Sequence, residues 1–155
     1  MNNDEPAASA FESAMMNSHN HVAFGMLLVV ILAAGFIAIT FLQSGLDKVF
    51  DYKGNLGWMG EQFSKTFLKN MIGIFLPVIT IGELAGGLTC VYGVIEVIIK
   101  MNFFPLIIGF ALAGFVLLML LFGQRISKQY AGAVSLTGYF IIVLIGLVIA
   151  SVLSA

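Results

Sequence analysis

The sequence predicts an all-α fold: an integral membrane four-helix antiparallel bundle with a short interfacial helix between helices one and two. Three observations carry this expectation. Only 10% of the 155 residues are charged and 60% are hydrophobic, whereas a water-soluble domain carries roughly 25% charged residues. Asp, Glu, Lys and Arg are missing from Ser13 to Leu46, Asn70 to Gly82, Leu84 to Ile95, Met101 to Gln124 and from Gln129 onward. Roughly 20 apolar residues cross the hydrocarbon of a bilayer. These stretches are also apolar on every side, where a soluble helix would show a polar stripe.

Taken in order, residues 1–21 form a polar, acidic leading segment without Lys or Arg. It reads as a flexible tail or a short surface helix through Phe11, Met15 and Met16, because a signal peptide would open on a basic region. Residues 22–155 then make one four-helix membrane domain, with helices expected at about 22–46, 71–95, 104–123 and 133–153. Pro105 suits the first turn of helix three, where a missing N–H costs nothing. Pro77 falls inside helix two and is expected to kink it. Tight connections at Glu96–Phe103 and Gly123–Gly132 make consecutive helices antiparallel neighbours. The longer connection, Asp47 to Asn70, begins with DYKGNLG, which reads as a turn. It continues as GWMGEQFSKTFLKN, which places Met59, Phe63 and Phe67 on one helical face behind Trp58. That is the pattern of a helix lying in the membrane interface.

The basic residues give an orientation. Lys48, Lys53, Lys65, Lys69, Arg125 and Lys128 belong to two connections on one side, against Lys100 alone on the other. Six against one places the basic connections in the cytoplasm and both termini outside it. A bacterial inner-membrane location is the expectation. Membrane lipids and a membrane protein partner or a second copy of the chain are the expected company. No basic nucleic-acid surface exists. The single Cys90 excludes an internal disulfide and CxxC chemistry, and reads as a small apolar filler.

Inside the apolar spans one group stands out, the carboxylate of Glu83 in TIGELAGGLTC (80–90). It lies about twelve residues, or roughly 18 Å, from either end of its expected helix. An ionised carboxylate at that depth must be paired, protonated or exposed to a polar cavity. With no Lys or Arg expected at that depth, a neutral or strongly hydrogen-bonded Glu83 is the first reading, and Glu83 is the one candidate catalyst. Ile79, Glu83, Gly86, Cys90 and Gly93 fall three or four apart on one face. Gly82 and Gly86 form a small-xxx-small pair that admits a close backbone. Tyr139 is expected to reach toward Glu83 from the end of helix four. Thr40, Gln43 and Ser44 in helix one, Ser135 and Thr137 in helix four, and Lys48 are expected to satisfy one another and nearby carbonyls, or to line a polar path to the middle of the bundle. The candidate ligand-binding set is therefore Glu83, Tyr139, Gln43, Ser44 and Lys48, and the candidate packing set is Gly45, Gly82, Gly86 and Gly87. His19 and His21 precede helix one and read as solvated surface residues, so haem ligation within the spans is disfavoured. No metal-ligand spacing or phosphate-binding glycine loop occurs.

Two stretches together resemble the DoxX family of small bacterial membrane proteins. FLQSGLDKVFDYKG at 41–54 ends helix one with a small residue, Gly, Leu and Lys, and GELAGGLTCVYG at 82–93 sets a Glu before glycines in helix two. The resemblance extends over nearly the whole chain after residue 22. It implies four similarly spaced helices and, by position, roles for Gly45, Lys48, Glu83, Gly86 and Gly87. The family's namesake is associated with a membrane thiosulfate:quinone oxidoreductase, and other members accompany redox or oxidative-stress proteins. Two functions follow as expectations. One is a non-catalytic integral subunit or scaffold of a larger membrane assembly of a redox- or quinone-linked kind. The other is a membrane enzyme or binding protein for a lipid-soluble molecule, with Glu83 at the site. No intrinsic cofactor is expected, and a quinone or a lipid is the candidate occupant.

Overall fold

With no water in the hydrocarbon to satisfy peptide groups, each apolar stretch closes its hydrogen bonds within itself as a helix. The computed structural model describes residues 5–155, with side chains from Met15 onward. Four of its helices span the membrane: α1 (Glu5–Phe50), α3 (Ile72–Lys100), α4 (Phe104–Ile126) and α5 (Tyr130–Ser154). The short α2 (Tyr52–Gln62) and a 3-10 turn at Phe67–Met71 fill the connection between α1 and α3. The spanning helices close into a ring in which α1 packs on α3, α3 on α4, α4 on α5 and α5 back on α1.

The core is built from one face of each rod. In α1 it is Val30, Ala33, Ala34, Ile37, Ala38 and Phe41; in α4 it is Leu106, Gly109, Phe110, Ala113, Val116 and Leu117. Both sets repeat at three- and four-residue steps, as a helix packed on one side requires. The reverse faces are apolar as well: Leu32, Ile39, Val134 and Phe115 are all exposed and meet lipid.

The rods are longer than their apolar runs. At 46 residues, α1 is about 69 Å long, more than twice the hydrocarbon thickness of about 30 Å. The leading residues from Glu5 on continue α1 without a break, and His19 and His21 are exposed on it. α3 runs to Lys100 and continues through Pro77, whose missing N–H removes the donor for the Gly73 carbonyl.

The α3–α4 turn is clamped by the buried Glu96. Its carboxylate accepts from Lys100 Nζ (2.8 Å), Tyr92 Oη (3.0 Å) and Asn102 Nδ2 (3.4 Å), while Asn102 Oδ1 accepts from the Phe104 N–H (3.2 Å). Met101 takes the left-handed conformation there (φ 53°), a common way to end a helix.

The connection 51–71 departs from expectation. DYKGNLG is not a turn; from Tyr52 it is the first half of α2. Asp51 explains this, because its Oδ1 accepts the Gly54 N–H (3.0 Å) and caps the helix start. The helix then stops at Gln62, so Phe67 falls off the expected face and is exposed. Leu68 takes the inward place, in a small apolar cluster with Phe63 and Ile72 that pins the connection to α3.

Candidate functional site

The end of α1 carries Ser44 and Lys48, four residues apart and hence on one helical face. Gly45 lies between them and is buried against α3. A Cβ at residue 45 would stand 2.7 Å from Leu84 Cδ2, so the missing side chain lets the two helices approach. That approach brings Glu83 within reach. Lys48 Nζ lies 3.0 Å from Glu83 Oε1 and 2.9 Å from Oε2. Ser44 Oγ donates to Glu83 Oε1 (3.1 Å) and accepts from Lys48 Nζ (2.6 Å), while Lys48 also reaches the Ser44 carbonyl (3.2 Å). Glu83 is the more buried partner, with 2% of its side chain exposed against 16% for Lys48. The three groups form one closed, charge-neutral cluster.

This corrects the expectation of a Glu83 without a basic neighbour. Lys48 sits at the helix end, but its four-carbon stem lies along apolar surface and carries the ammonium inward. Tyr139, expected to reach Glu83, instead packs against Phe36 in a tilted pair, with ring centroids 5.7 Å apart. Gln43 is exposed and does not line the site, because it is one residue, or roughly 100°, around the helix from Ser44. Thr40, Ser135 and Thr137 each donate to the carbonyl four residues earlier, at Phe36, Ala131 and Ala133. Hydroxyls in apolar helices commonly satisfy themselves this way, so these three do not extend a polar path.

The cluster opens on a cavity of about 240 Å³. Its wall contains Ser44, Lys48 and Glu83, together with Asn55, Trp58 and Gln62 of α2 and Gln124 of α4. A smaller apolar cavity of about 80 Å³, walled by Phe63, Leu68, Ile72, Phe75 and Phe122, adjoins it. Met59, Phe63, Ile79, Met119 and Gly123 belong to both linings. The short helix α2 thus roofs a space whose one side is polar and whose other side is aromatic.

The roof is tied down by amides. Gln62 Nε2 donates to Ser127 Oγ (3.2 Å) and approaches Gln124 Oε1 (3.5 Å). Ser127 gives its own proton to the carbonyl of Gly123 (3.0 Å) or Gln124 (3.3 Å). It therefore meets Gln62 as an acceptor, which fixes the Gln62 amide with its NH₂ toward Ser127. Gln62 Oε1 is left buried without a partner. Such an orphaned acceptor is uncommon in a packed interior.

The glycines of α3 divide the bundle. A Cβ at Gly82 would stand 2.6 Å from Val116 Cγ2, and one at Gly87 would stand 2.9 Å from Leu42 Cγ. Gly86 is buried between Phe41 of α1 and the backbone of Ala113 of α4. The closest approaches to a neighbouring helix backbone lie at two other glycines. A Cβ at Gly93 would lie 2.8 Å from the Leu106 backbone N, and one at Gly109 would lie 3.0 Å from the Cys90 backbone N. Cys90 is fully buried at that contact.

The cavity residues Asn55, Trp58, Gln62 and Gln124 were missed as a site. The signal for them was weak: Asn55 near the start of α2, Trp58 at its middle, Gln62 at its end and Gln124 in the last turn of α4. Among the described residues, no three His, Cys, Asp or Glu side chains converge as a metal site. No protein-family model, curated protein or solved structure matches the chain.

Proposed function

We propose that this multi-pass membrane protein binds a lipid-soluble small molecule, held with its polar end beside Ser44, Lys48 and Glu83. The single observation that carries the reading is the cavity of about 240 Å³ with those three side chains in its wall. A membrane protein gains nothing by leaving such a space beside a buried carboxylate unless something polar occupies it. The adjoining cavity lined by Phe63, Phe75 and Phe122 would take the apolar part of the same molecule. Met59 and Met119, which stand in both linings, have the flexibility to adapt to its shape.

The likeness of residues 41–54 and 82–93 to the DoxX pattern supports a redox-linked setting in the bacterial inner membrane, with a quinone or a lipid as occupant. The basic connections, carrying six of the seven Lys and Arg residues, support placing the cavity end at the cytoplasmic face. A second reading, an accessory subunit of a larger assembly, is favoured by α1, whose length carries it beyond the bilayer on the opposite side. A helix projecting in this way suits attachment to a partner, and the two readings are compatible.

The test is purification in mild detergent, followed by solvent extraction and mass spectrometry of what the protein retains. The expected result is one lipid-soluble class enriched over the bulk lipids, and lost when Gly123→Leu fills the space shared by both cavities. Equal lipid profiles for the two proteins would refute a binding role. Proteins that travel with the wild type would support the accessory role.

A further inference from the structure

Among the described residues, Lys48 and Glu83 are the only charged side chains in the wall of the larger cavity, and they neutralise each other at 2.9 and 3.0 Å. An ammonium has three hydrogens to give. Those of Lys48 are committed to the Glu83 carboxylate, Ser44 Oγ and the Ser44 carbonyl. An anion arriving in the cavity finds no free cation, and a cation finds no free carboxylate. Either would have to break the pair and leave the displaced partner uncompensated in a low-dielectric site, which is the expensive outcome. The remaining polar wall is neutral: the amides of Asn55, Gln62 and Gln124 and the indole of Trp58. Among these, the buried Gln62 Oε1 is an acceptor without a hydrogen-bond partner.

We propose that the Lys48–Glu83 pair makes this site select amphiphiles with an uncharged, hydrogen-bonding head, and reject alkyl anions and alkyl cations of the same length. The inference rests on the cavity binding a lipid-soluble molecule, and adds the charge of its head. Selection by charge is a property of the pair, so removing either member reverses it in a defined direction. Glu83→Gln leaves Lys48 free to receive an anion. Lys48→Met leaves the carboxylate free to receive a cation.

The experiment uses the full chain in nanodiscs of zwitterionic phosphatidylcholine. Trp58 is the only tryptophan in the chain and lines the cavity, so its fluorescence reports occupancy directly. Dodecanol, dodecanesulfonate and dodecylammonium are titrated at neutral pH, with concentrations corrected for partition into the bilayer. For the wild type, dodecanol is expected to bind about tenfold tighter than either ion or more. The sulfonate gains about tenfold in Glu83→Gln, and the ammonium gains about tenfold in Lys48→Met. These reversals separate charge from head size. The proposal is overturned if either ion matches dodecanol in the wild type, or if the folded variants keep the wild-type order. A variant that does not fold leaves the wild-type order decisive. No saturable Trp58 response to any probe overturns both this proposal and the binding role, whereas binding without charge selection overturns this one alone.

Discussion

The Lys48–Glu83 pair makes an asymmetric prediction for stability, because its two members are unequally buried. Lys48→Met keeps most of the side-chain volume and removes the ammonium. Glu83, 2% exposed, then retains Ser44 Oγ at 3.1 Å as its only donor. Breaking a buried pair from one side costs about 3–5 kcal/mol. The cavity beside Glu83 gives water some access, which sets the expectation at the lower end, about 3 kcal/mol. Glu83→Gln is milder. The amide keeps an oxygen for Ser44, and Lys48, 16% exposed, can turn outward to the interface. The loss there is about 1 kcal/mol, one charge-assisted hydrogen bond less the solvation regained. Combining both substitutions leaves two neutral side chains and no stranded charge. The double variant should therefore be more stable than Lys48→Met alone, with a coupling energy of about 2 kcal/mol. Unfolding titrations of the four proteins in mixed micelles measure this cycle. Equal single effects under about 1 kcal/mol that simply add would refute the reasoning, since they would mean that the pair is not held as a desolvated unit.

Further expectations concern the glycines, the α2 cap and the topology. Gly93→Ala drives a Cβ to 2.8 Å from the Leu106 backbone N, whereas Gly35→Ala meets nothing within 4 Å. Thermal unfolding should show the first destabilised by about 2 kcal/mol or more, and the second unchanged or stabilised by about 0.5–1 kcal/mol. Asp51→Ala removes the cap on Gly54 and should weaken α2 by about 1 kcal/mol, read as greater quenching of Trp58 by acrylamide. In a Cys90→Ala background, single cysteines replacing Lys65 and Lys128 should be labelled from the cytoplasmic side. One replacing Met101 should be labelled from the opposite side, and the reverse pattern would invert the proposed orientation.

The parts of the fold that follow a local period were legible in the sequence. Ile79, Glu83, Gly86, Cys90 and Gly93 share a face by spacing alone, and all five are buried in α3. Pro105 starts α4 as its missing N–H allows. Three features were not legible, each for a physical reason. Ser44 and Lys48 were legible as company for Glu83, but the direct ion pair was not, because a lysine at a helix end carries its charge several ångströms along the axis. The i, i+4 pair Ser44 and Lys48 astride Gly45 was the usable signal. The start of α2 escaped because the glycines of DYKGNLG suggested a turn, and the Asp51 cap outweighed them. A cavity at Glu83 was one expectation, but its wall of Asn55, Trp58, Gln62 and Gln124 was not legible, because an empty volume is set by what fails to fill it, here Gly123 opposite Phe63, and no periodicity encodes that.

Packing along α3 also bears on what kind of membrane protein this is. From Gly86 to Gly93 the helix is pressed against its neighbours: Gly86 on Phe41 and Ala113, Cys90 on Gly109, and Gly93 on the Leu106 backbone. From Ile72 to Glu83 it borders the two cavities, through Ile72, Phe75, Leu76, Ile79 and Glu83. Glu83 stands at the change from one regime to the other. A conducting pore needs polar groups or open space on both sides of its central charge. Beyond Glu83 the next buried positions are Gly86, Gly87, Cys90 and Gly93, which are pressed on neighbouring helices and offer neither before Glu96, whose carboxylate is held by Lys100, Tyr92 and Asn102. The larger cavity reaches Glu83 from the side of α2, and the tightly packed glycine seam of α3 begins beyond it. That favours binding over conduction. It also predicts that enlarging the seam residues damages the fold, whereas filling the recess at Gly123 abolishes occupancy and spares the fold.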